Sequence, residues 1–134
     1  MSKDGPKTHK DLEVWKRSLD LVEKVYAMTR SFPKEEVYGL TLQIRRAAVS
    51  VPSNIAEGAA RGSKKEFIQF LYIALGSLQE LETQFILACR VGLTSDRSLS
   101  STIDEVRKML LGLLRFLKHN SQRITHHSSL ITLL

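Results

Sequence analysis

Polar side chains in the first half of the chain recur at the spacing of one helical face. They lie three or four residues apart and are termed here the polar stripe: Gln43, Arg46, Ser50, Asn54, Glu57 and Arg61. On an α-helix this spacing forms one line, and most residues between them are small or apolar. A solvated surface, a hydrogen-bonded seam within or between subunits, and a site for a ligand or nucleic acid are all compatible with it. We favour the seam, with Ser53 beside it, because a partly buried arginine or glutamate needs a partner.

The polar stripe also contains a carboxylate that could do acid–base chemistry. Glu57 would have to lie with Arg46 or Arg61 in a concave, water-poor pocket, because burial and nearby charges are what tune a catalytic carboxyl group. No motif elsewhere supplies partner groups: the sequence has no GxSxG, no phosphate-binding glycine loop, no CxxC and no HExxH. We therefore expect no enzymatic activity, no catalytic residue, no cofactor and no small-molecule substrate.

Histidine and cysteine do not predict a metal or redox site. His119, His126 and His127 could capture a stray ion, but a site needs further ligands in fixed geometry, so we interpret them as polar residues of a tail. The single Cys89 cannot form an internal disulfide and is expected to be a buried small hydrophobe. The first residues carry no apolar run, and no stretch is long and apolar enough to span a bilayer. We expect a cytoplasmic protein with no membrane partner.

The charge balance favours contact with a polyanion. The chain has 20 Lys and Arg against 14 Asp and Glu, a formal net charge of +6. A basic surface attracts phosphates without reading sequence, although it is also compatible with a simple solvated face. The candidate nucleic-acid-binding residues combine the arginines and lysines of the second and third predicted helices with those on the exposed face of the fourth: Arg45, Arg46, Arg61, Lys64, Lys65, Lys108, Arg115 and Lys118.

The first two predicted helices flank a proline-containing junction. Helix one begins after a capping Asp11 and ends before Pro33. Its apolar face is predicted from the spacing of Leu12, Trp15, Leu19, Val22, Tyr26 and Thr29, and Val14, Leu21, Val25 and Met28 broaden it. Trp15 and Tyr26 are therefore expected in the core. Helix two is expected from Lys34 to about Arg61. Pro52 falls inside it, and a kink is expected there because proline cannot bond to the carbonyl of Ala48.

The third and fourth predicted helices have clear start and stop signals. Ser63 and Glu66 have the spacing of a capping box, and Gly92 marks the end of helix three. Gly76, near the middle of helix three, predicts a close approach to another helix. Helix four follows Thr94–Asp96 and has the apolar spacing of a bundle seam at Leu99, Ile103, Val106, Leu110, Leu113 and Leu117.

Four helices with short connections predict an all-α fold, an antiparallel up-down-up-down four-helix bundle. The bundle is expected to span residues 11–120. Residues 1–10 are polar and are expected to form a flexible N-terminus, and residues 121–134 form a C-terminal tail with no clear period.

The sequence resembles the proteins encoded in intervening sequences of bacterial 23S ribosomal RNA genes. The shared stretches are DLxVW from Asp11, FPxExxYGL from Phe32, QIRRAAVSVPSNIAEG from Gln43 followed by Arg61, and EF from Glu66 with GSLxELETQ from Gly76. They cover about residues 11–120. The resemblance implies a four-helix bundle that assembles as a ring-like homopentamer. The chain also resembles, more distantly, the basic accessory protein of diversity-generating retroelements, which works with a reverse transcriptase and nucleic acid.

The resemblance selects candidate functional or assembly residues. The family pattern is matched at Arg45, Arg46, Ser53, Asn54, Glu57, Gly58 and Arg61. The residues after Asn120 match no pattern that we know. We expect a non-enzymatic oligomer that binds RNA or a ribonucleoprotein through its basic residues, with salt-dependent contacts to phosphates. Two alternatives stay open: a protein–protein scaffold in which helix two and the apolar tail dock a partner enzyme, and a small catalytic bundle built on Glu57.

Overall fold

The computed structural model describes residues 8–9 and 12–119, and within them every regular element is helical. The four α-helices are α1 (Glu13–Thr29), α2 (Leu40–Ala60), α3 (Lys64–Arg90) and α4 (Leu99–His119), and a single 3-10 turn spans Lys34–Glu36. The expected all-α class and the number of helices are confirmed. Asp11, residues 1–7 and 10 of the predicted N-terminal segment, and the predicted tail of residues 121–134 lie outside the described residues.

Each helix packs against two others. Helix α1 contacts α2 and α4, and α3 contacts the same two helices, so the contacts close into a cycle around one core. This arrangement is consistent with a four-helix bundle. Large side chains from all four helices are fully buried in that core, among them Leu21, Ile44, Phe67, Leu78 and Leu110. Burial of each such side chain stabilises the fold by about 1.5–3 kcal/mol.

The buried face of α1 is shifted from the centre of the predicted apolar face toward the residues that were expected to broaden it. The buried residues are Val14, Ser18, Leu21, Val25 and Thr29. Tyr26 and Leu19 are each more than a third exposed, and Trp15 is partly buried at the edge of the core. The prediction that Tyr26 is a core residue was therefore wrong. Thr29 is buried as predicted, and the unpredicted member is Ser18, whose hydroxyl donates to the Trp15 carbonyl and is therefore buried without losing a hydrogen bond.

Helix α2 begins later than predicted. Lys34–Glu36 forms only a 3-10 turn, and the α-helix starts at Leu40 after Gly39, whose φ and ψ of −108° and −118° interrupt it. The Glu36 carboxylate bridges this break by accepting a hydrogen bond from the Leu40 N–H at 3.3 Å. The segment between the two elements therefore forms a turn that presents Tyr38 to solvent.

The close approach between α2 and α3 occurs at Gly58. A Cβ atom added there would lie 2.6 Å from the Cβ of Phe70, and one added at Gly76 would meet nothing within 4 Å. The prediction of a close approach at Gly76 was wrong. Both glycines are helical, and only the tertiary contact distinguishes them.

The boundaries of α3 follow the sequence signals. Ser63 is its N-cap, with the hydroxyl oxygen accepting a hydrogen bond from the Glu66 N–H at 3.2 Å. After the helix ends at Arg90, Gly92 adopts a left-handed φ of +82°. Cys89, predicted to be buried, is partly buried at the edge of the core.

Helix α4 has the predicted core residues with one exchange. Leu114 is buried where Leu113 was expected, and Leu113 packs at the edge. In the preceding loop the Asp96 carboxylate accepts a hydrogen bond from the Ser98 N–H at 2.9 Å. This bond lowers the pKa of Asp96. No helix in the described part of the chain has the length and apolarity needed to cross a membrane.

Candidate nucleic-acid interface

The middle of the polar stripe forms a hydrogen-bonded link between α2 and α3. The hydroxyl oxygens of Ser50 and Ser77 lie 2.7 Å apart. The Asn54 side-chain amide donates to the Ser50 carbonyl at 2.8 Å and to its hydroxyl at 2.9 Å. These two residues of the polar stripe therefore find their partners within the subunit.

The outer part of the polar stripe is exposed. Glu57 has a 55% exposed side chain, and its carboxylate lies 3.7 Å from the Arg61 guanidinium, beyond ordinary hydrogen-bond distance. Arg46 lies eleven residues earlier, about 16 Å away along the helix. Among the described residues, Glu57 therefore lies on exposed surface and not in the water-poor pocket that catalysis would require. Two further members of the predicted set, Gln43 and Ser53, are also exposed.

A polar depression of about 370 Å³ lies between α2 and α3. It contains Gln43, Arg46 and Ser50 of α2, facing Glu80 and Gln84 of α3. The side-chain oxygen of Gln84 is buried and accepts no hydrogen bond within the described residues. The depression therefore contains charges of both signs and an unpaired acceptor.

Several predicted basic residues lie near the start of α3 and the end of α4. We call them the basic patch: Arg61, Lys64, Lys65, Arg115 and Lys118. The two helices are joined here because the Lys118 ammonium donates to the Tyr72 hydroxyl and lies 4.8 Å from the centre of its ring. Tyr72 follows Lys65 by two helical turns on the same face, a rise of about 11 Å.

Most side chains of the basic patch carry charge that no acid in the described residues neutralises. Lys64, Lys65 and Arg115 form no ion pair there. The Arg61 guanidinium stacks 4.9 Å from the centre of the Phe70 ring, and its closest carboxylate atoms, on Glu57 and Glu66, are 3.7 and 3.8 Å away. Exposed pairs of this kind contribute little, so Arg61 also remains available for phosphate.

Arg107 lies on the same helix as Arg115 and Lys118, but its charge is neutralised by nearby acids. It contacts Glu82 at 2.7 Å and Asp104 at 2.6 Å, and it donates to the Gln79 side chain at 2.8 Å. Burial lowers the pKa of Arg107, but the bonds to the two carboxylates outweigh it and raise the pKa. Arg107 therefore ties α3 to α4. Lys108, the next residue, is exposed and unpaired within the described residues.

Arg45 lies in a different place and is held firmly. Its guanidinium stacks 4.4 Å from the centre of the Tyr26 ring, and its Nε donates to the Thr29 hydroxyl at 2.8 Å. It precedes Arg61 by sixteen residues, about 24 Å along the helix. The predicted nucleic-acid-binding residues therefore do not form one cluster.

Arg45 and Arg46 line a groove that sequence reasoning missed, named here the Tyr38 groove. It encloses about 750 Å³ and is lined by Tyr26, Val37, Tyr38, Thr41, Leu42, Arg45, Arg46, Val49 and Ser50. Tyr38 is 89% exposed and Thr41 is 5% exposed. The signal in the sequence was an aromatic residue beside a glycine, immediately before a helix that carries adjacent arginines.

The described residues contain no group of three or more His, Cys, Asp or Glu side chains placed to hold a metal ion. His119 is exposed at the end of α4. His126 and His127 lie outside the described residues.

Residues 10–112 match the family model described as 23S rRNA-intervening sequence protein. The chain belongs to this family. The resemblance identified from the sequence is therefore confirmed. The matched region of this intervening-sequence protein includes the polar stripe, the Tyr38 groove, Lys64 and Lys65, whereas Arg115 and Lys118 follow it.

A solved structure has a similar fold. It is the crystal structure of a protein with unknown function from the S23 ribosomal protein family of Bacteroides thetaiotaomicron, superimposed with a TM-score of 0.68. The two chains are 24% identical, over 76% of this chain and 95% of the other. This likeness supports the helical fold of the intervening-sequence protein. No curated protein matches the chain.

Proposed function

We propose that this protein is a non-enzymatic, self-assembling helical bundle that binds RNA or a ribonucleoprotein electrostatically. The observation that carries the proposal is the basic patch, in which Lys64, Lys65 and Arg115 have no acidic partner among the described residues. Lys64 and Lys65 are consecutive, so their like charges repel each other, and a polyanion that approaches them relieves this repulsion and releases its own counterions.

Membership of the family supports ribosomal RNA as this polyanion. A protein encoded within a 23S rRNA intervening sequence would be made beside ribosomal RNA, in the cytoplasm, and would need no cofactor. Its contacts would be mainly to phosphates, because exposed lysines do not hold their donors in the fixed positions that recognition of a base edge needs.

We infer further that copies of the chain assemble through the face formed by α2 and α3, as a ring-like homopentamer. Three features support this face. The polar depression presents the Glu80 carboxylate, which would attract a cation of a neighbouring copy, and the orphan acceptor of Gln84. Ile73 and Leu87 flank it on α3 and are each about half exposed. In a ring the basic patch is repeated around one axis, which makes RNA binding multivalent.

We infer likewise that the bundle is antiparallel, with up-down-up-down topology, and that α2 is kinked at Pro52. Contacts between helices run in opposite numerical order, which supports the topology. They are Ser50 with Ser77 and Gly58 with Phe70 between α2 and α3, and Arg17 with Glu105 and Lys24 with Thr102 between α1 and α4. Pro52 has no N–H for the carbonyl of Ala48, which favours a bend at that turn.

The test is a titration of the full chain with a structured ribosomal RNA fragment at several salt concentrations, with the solution mass recorded on the same samples. We expect submicromolar binding by an oligomer, and a logarithm of affinity that falls linearly with the logarithm of salt concentration. Absence of binding at low salt would contradict the proposal.

The second candidate function is a protein–protein scaffold without nucleic-acid binding. The observation that favours it is the exposure of apolar side chains, since Tyr38, Val37 and Val91 are each about half exposed or more. Exposed apolar groups of this size are often contact points for another protein. Partner binding that changes little with salt, together with no affinity for RNA, would identify the scaffold.

A further inference from the structure

The Tyr38 groove combines an aromatic wall with cations. Its apolar surface comes from Tyr38, Val37, Leu42 and Val49, and the Tyr38 ring stands almost fully in solvent. An exposed aromatic ring beside aliphatic side chains offers a flat surface on which a planar group can stack. None of the described residues that line the groove is acidic.

The polar groups of the groove favour an anion. Arg45 uses its Nε for Thr29 and its π face for Tyr26, and this leaves its two terminal nitrogens free to donate. Arg46 is exposed on the same wall. The nearby Glu36 carboxylate is already engaged, because it accepts from the Leu40 N–H.

An orphan hydroxyl lies in the base of the groove. Thr41 is 5% exposed, and its side-chain oxygen has no hydrogen-bond partner within the described residues. A buried hydroxyl without a partner is uncommon in folded proteins, because the lost hydrogen bond to water is not replaced. Thr41 therefore gives the groove lining one polar group without a partner among the described residues.

We propose that the Tyr38 groove holds one unpaired nucleotide of a bound RNA, with its base against Tyr38 and its phosphate toward Arg45 and Arg46. This inference rests on the proposed function and adds a second contact with the same partner. A volume of about 750 Å³ suits a single nucleotide. An inorganic anion would leave the aromatic wall unused, and an apolar peptide would bury two arginines without partners. Only an unpaired base has a free face to stack.

The experiment compares two fluorescent RNA oligonucleotides of equal length and charge, one with bases and one abasic throughout. Their affinities for the full-length protein are measured by anisotropy at fixed salt. Stacking of one base on an aromatic side chain gives a preference of roughly 5- to 100-fold for the base-containing strand. We expect that preference in the wild type, its loss in Tyr38→Ala and its retention in Tyr38→Phe.

A second tyrosine provides the matched control. Tyr72→Ala removes the exposed ring that contacts Lys118, and it should leave the preference for bases unchanged. If Tyr72→Ala removes the preference and Tyr38→Ala does not, the bases stack on the basic patch and the groove proposal is wrong. Since both tyrosines are exposed, thermal unfolding should confirm that each variant folds.

Three other results would overturn the inference. Equal wild-type affinity for the two oligonucleotides would leave RNA binding intact and reject a base in the groove. A lower solution mass in Tyr38→Ala with an unchanged preference for bases would identify the groove as a contact between subunits. If neither oligonucleotide binds at low salt, the proposed function itself fails, and the groove inference fails with it.

Discussion

The basic patch and the Tyr38 groove present positive charge in different ways. In the basic patch, Lys64, Lys65 and Arg115 extend from exposed helical surface without partners among the described residues. In the Tyr38 groove, Arg45 is fixed by a stacked ring and by a hydrogen bond to Thr29. The basic patch therefore supplies charge on flexible stems, and the groove supplies charge in a set geometry.

This difference separates affinity from selectivity. Lysine is a flexible point charge that tolerates many phosphate positions, whereas a restrained guanidinium binds only ligands that match its plane. Phosphate contacts are screened by salt, and stacking on an aromatic ring is screened much less. We therefore expect the basic patch to determine how tightly RNA binds and the groove to determine which nucleotides are preferred.

The largest expected effect is removal of charge from the basic patch. A Lys64→Gln, Lys65→Gln, Arg115→Gln triple variant should lose affinity for structured RNA on the order of 100-fold near 0.1 M salt, because three counterion-releasing contacts disappear. The slope of log affinity against log salt should fall in magnitude by about two to three. Anisotropy titrations at five salt concentrations measure both quantities.

The control for this variant removes the same charge elsewhere. Lys34, Arg90 and Arg97 are exposed and form no ion pair within the described residues, so their triple glutamine variant has an identical net charge. It should keep nearly the wild-type slope. Equal loss in the two triple variants would mean that total charge, and not the basic patch, attracts RNA.

The second-largest expected effect is a loss of stability when the packing of α2 against α3, beneath the basic patch, is disturbed. Gly58→Ala forces a methyl group against the Cβ of Phe70, whose ring supports Arg61. Overpacking of this kind should lower the free energy of unfolding by about 1–3 kcal/mol, measured by chemical denaturation. Gly76→Ala is the matched control: it meets no atom within 4 Å and should stabilise the helix by up to about 1 kcal/mol. Wild-type stability in Gly58→Ala would show that the α2–α3 contact relaxes freely.

These two glycines illustrate how far the sequence predicts the structure. The apolar period predicts α3 and α4 well, because nearly every inward position there is aliphatic or aromatic. It misplaces the centre of the buried face of α1, where Ser18 is buried with its hydroxyl bonded to the helix backbone and Tyr26 is exposed. Which helical glycine lies under another helix depends on tertiary packing, and no local pattern carries that information.

The candidate site shows the same limit. The adjacent arginines and the lysines were recognisable as cations, but charge in a sequence does not reveal which cations are neutralised. Arg107 and Arg115 are equivalent cations in the sequence, but in the structure Glu82 and Asp104 neutralise Arg107. The Tyr38 groove was missed because α1, the turn and α2 each contribute part of its wall.

A smaller effect is expected where the groove geometry is loosened without loss of charge. Arg45→Lys keeps the cation but loses the Nε bond to Thr29 and much of the stacking on Tyr26. The preference for base-containing over abasic RNA should fall about three- to tenfold, which corresponds to roughly 1 kcal/mol. The salt slope should stay at the wild-type value. A changed slope with an unchanged preference would place Arg45 with the charge-only contacts of the basic patch.

The smallest effect concerns Asp96, in the loop that leads into α4. The bond from the Ser98 N–H lowers the pKa of Asp96 below its usual 3.8, so ionised Asp96 stabilises the fold. That stabilisation is present above the usual pKa and is lost as the pH falls through the lowered value. Asp96→Asn keeps an acceptor without the charge, so its melting temperature should be slightly below the wild-type value at pH 7 and should approach it in acid.

The Asp96→Asn variant also tests whether the start of α4 and the basic patch at its end act independently. Asp96 is fully exposed, so solvent screens its contribution and the change in melting temperature should be small. Arg115 and Lys118 lie at the other end of α4, so RNA affinity of the Asp96→Asn variant at pH 7 should equal that of the wild type. A difference in melting temperature that persists unchanged in acid would mean that the charge of Asp96 is not what stabilises the start of α4. A loss of RNA affinity would mean that the basic patch depends on the whole length of that helix.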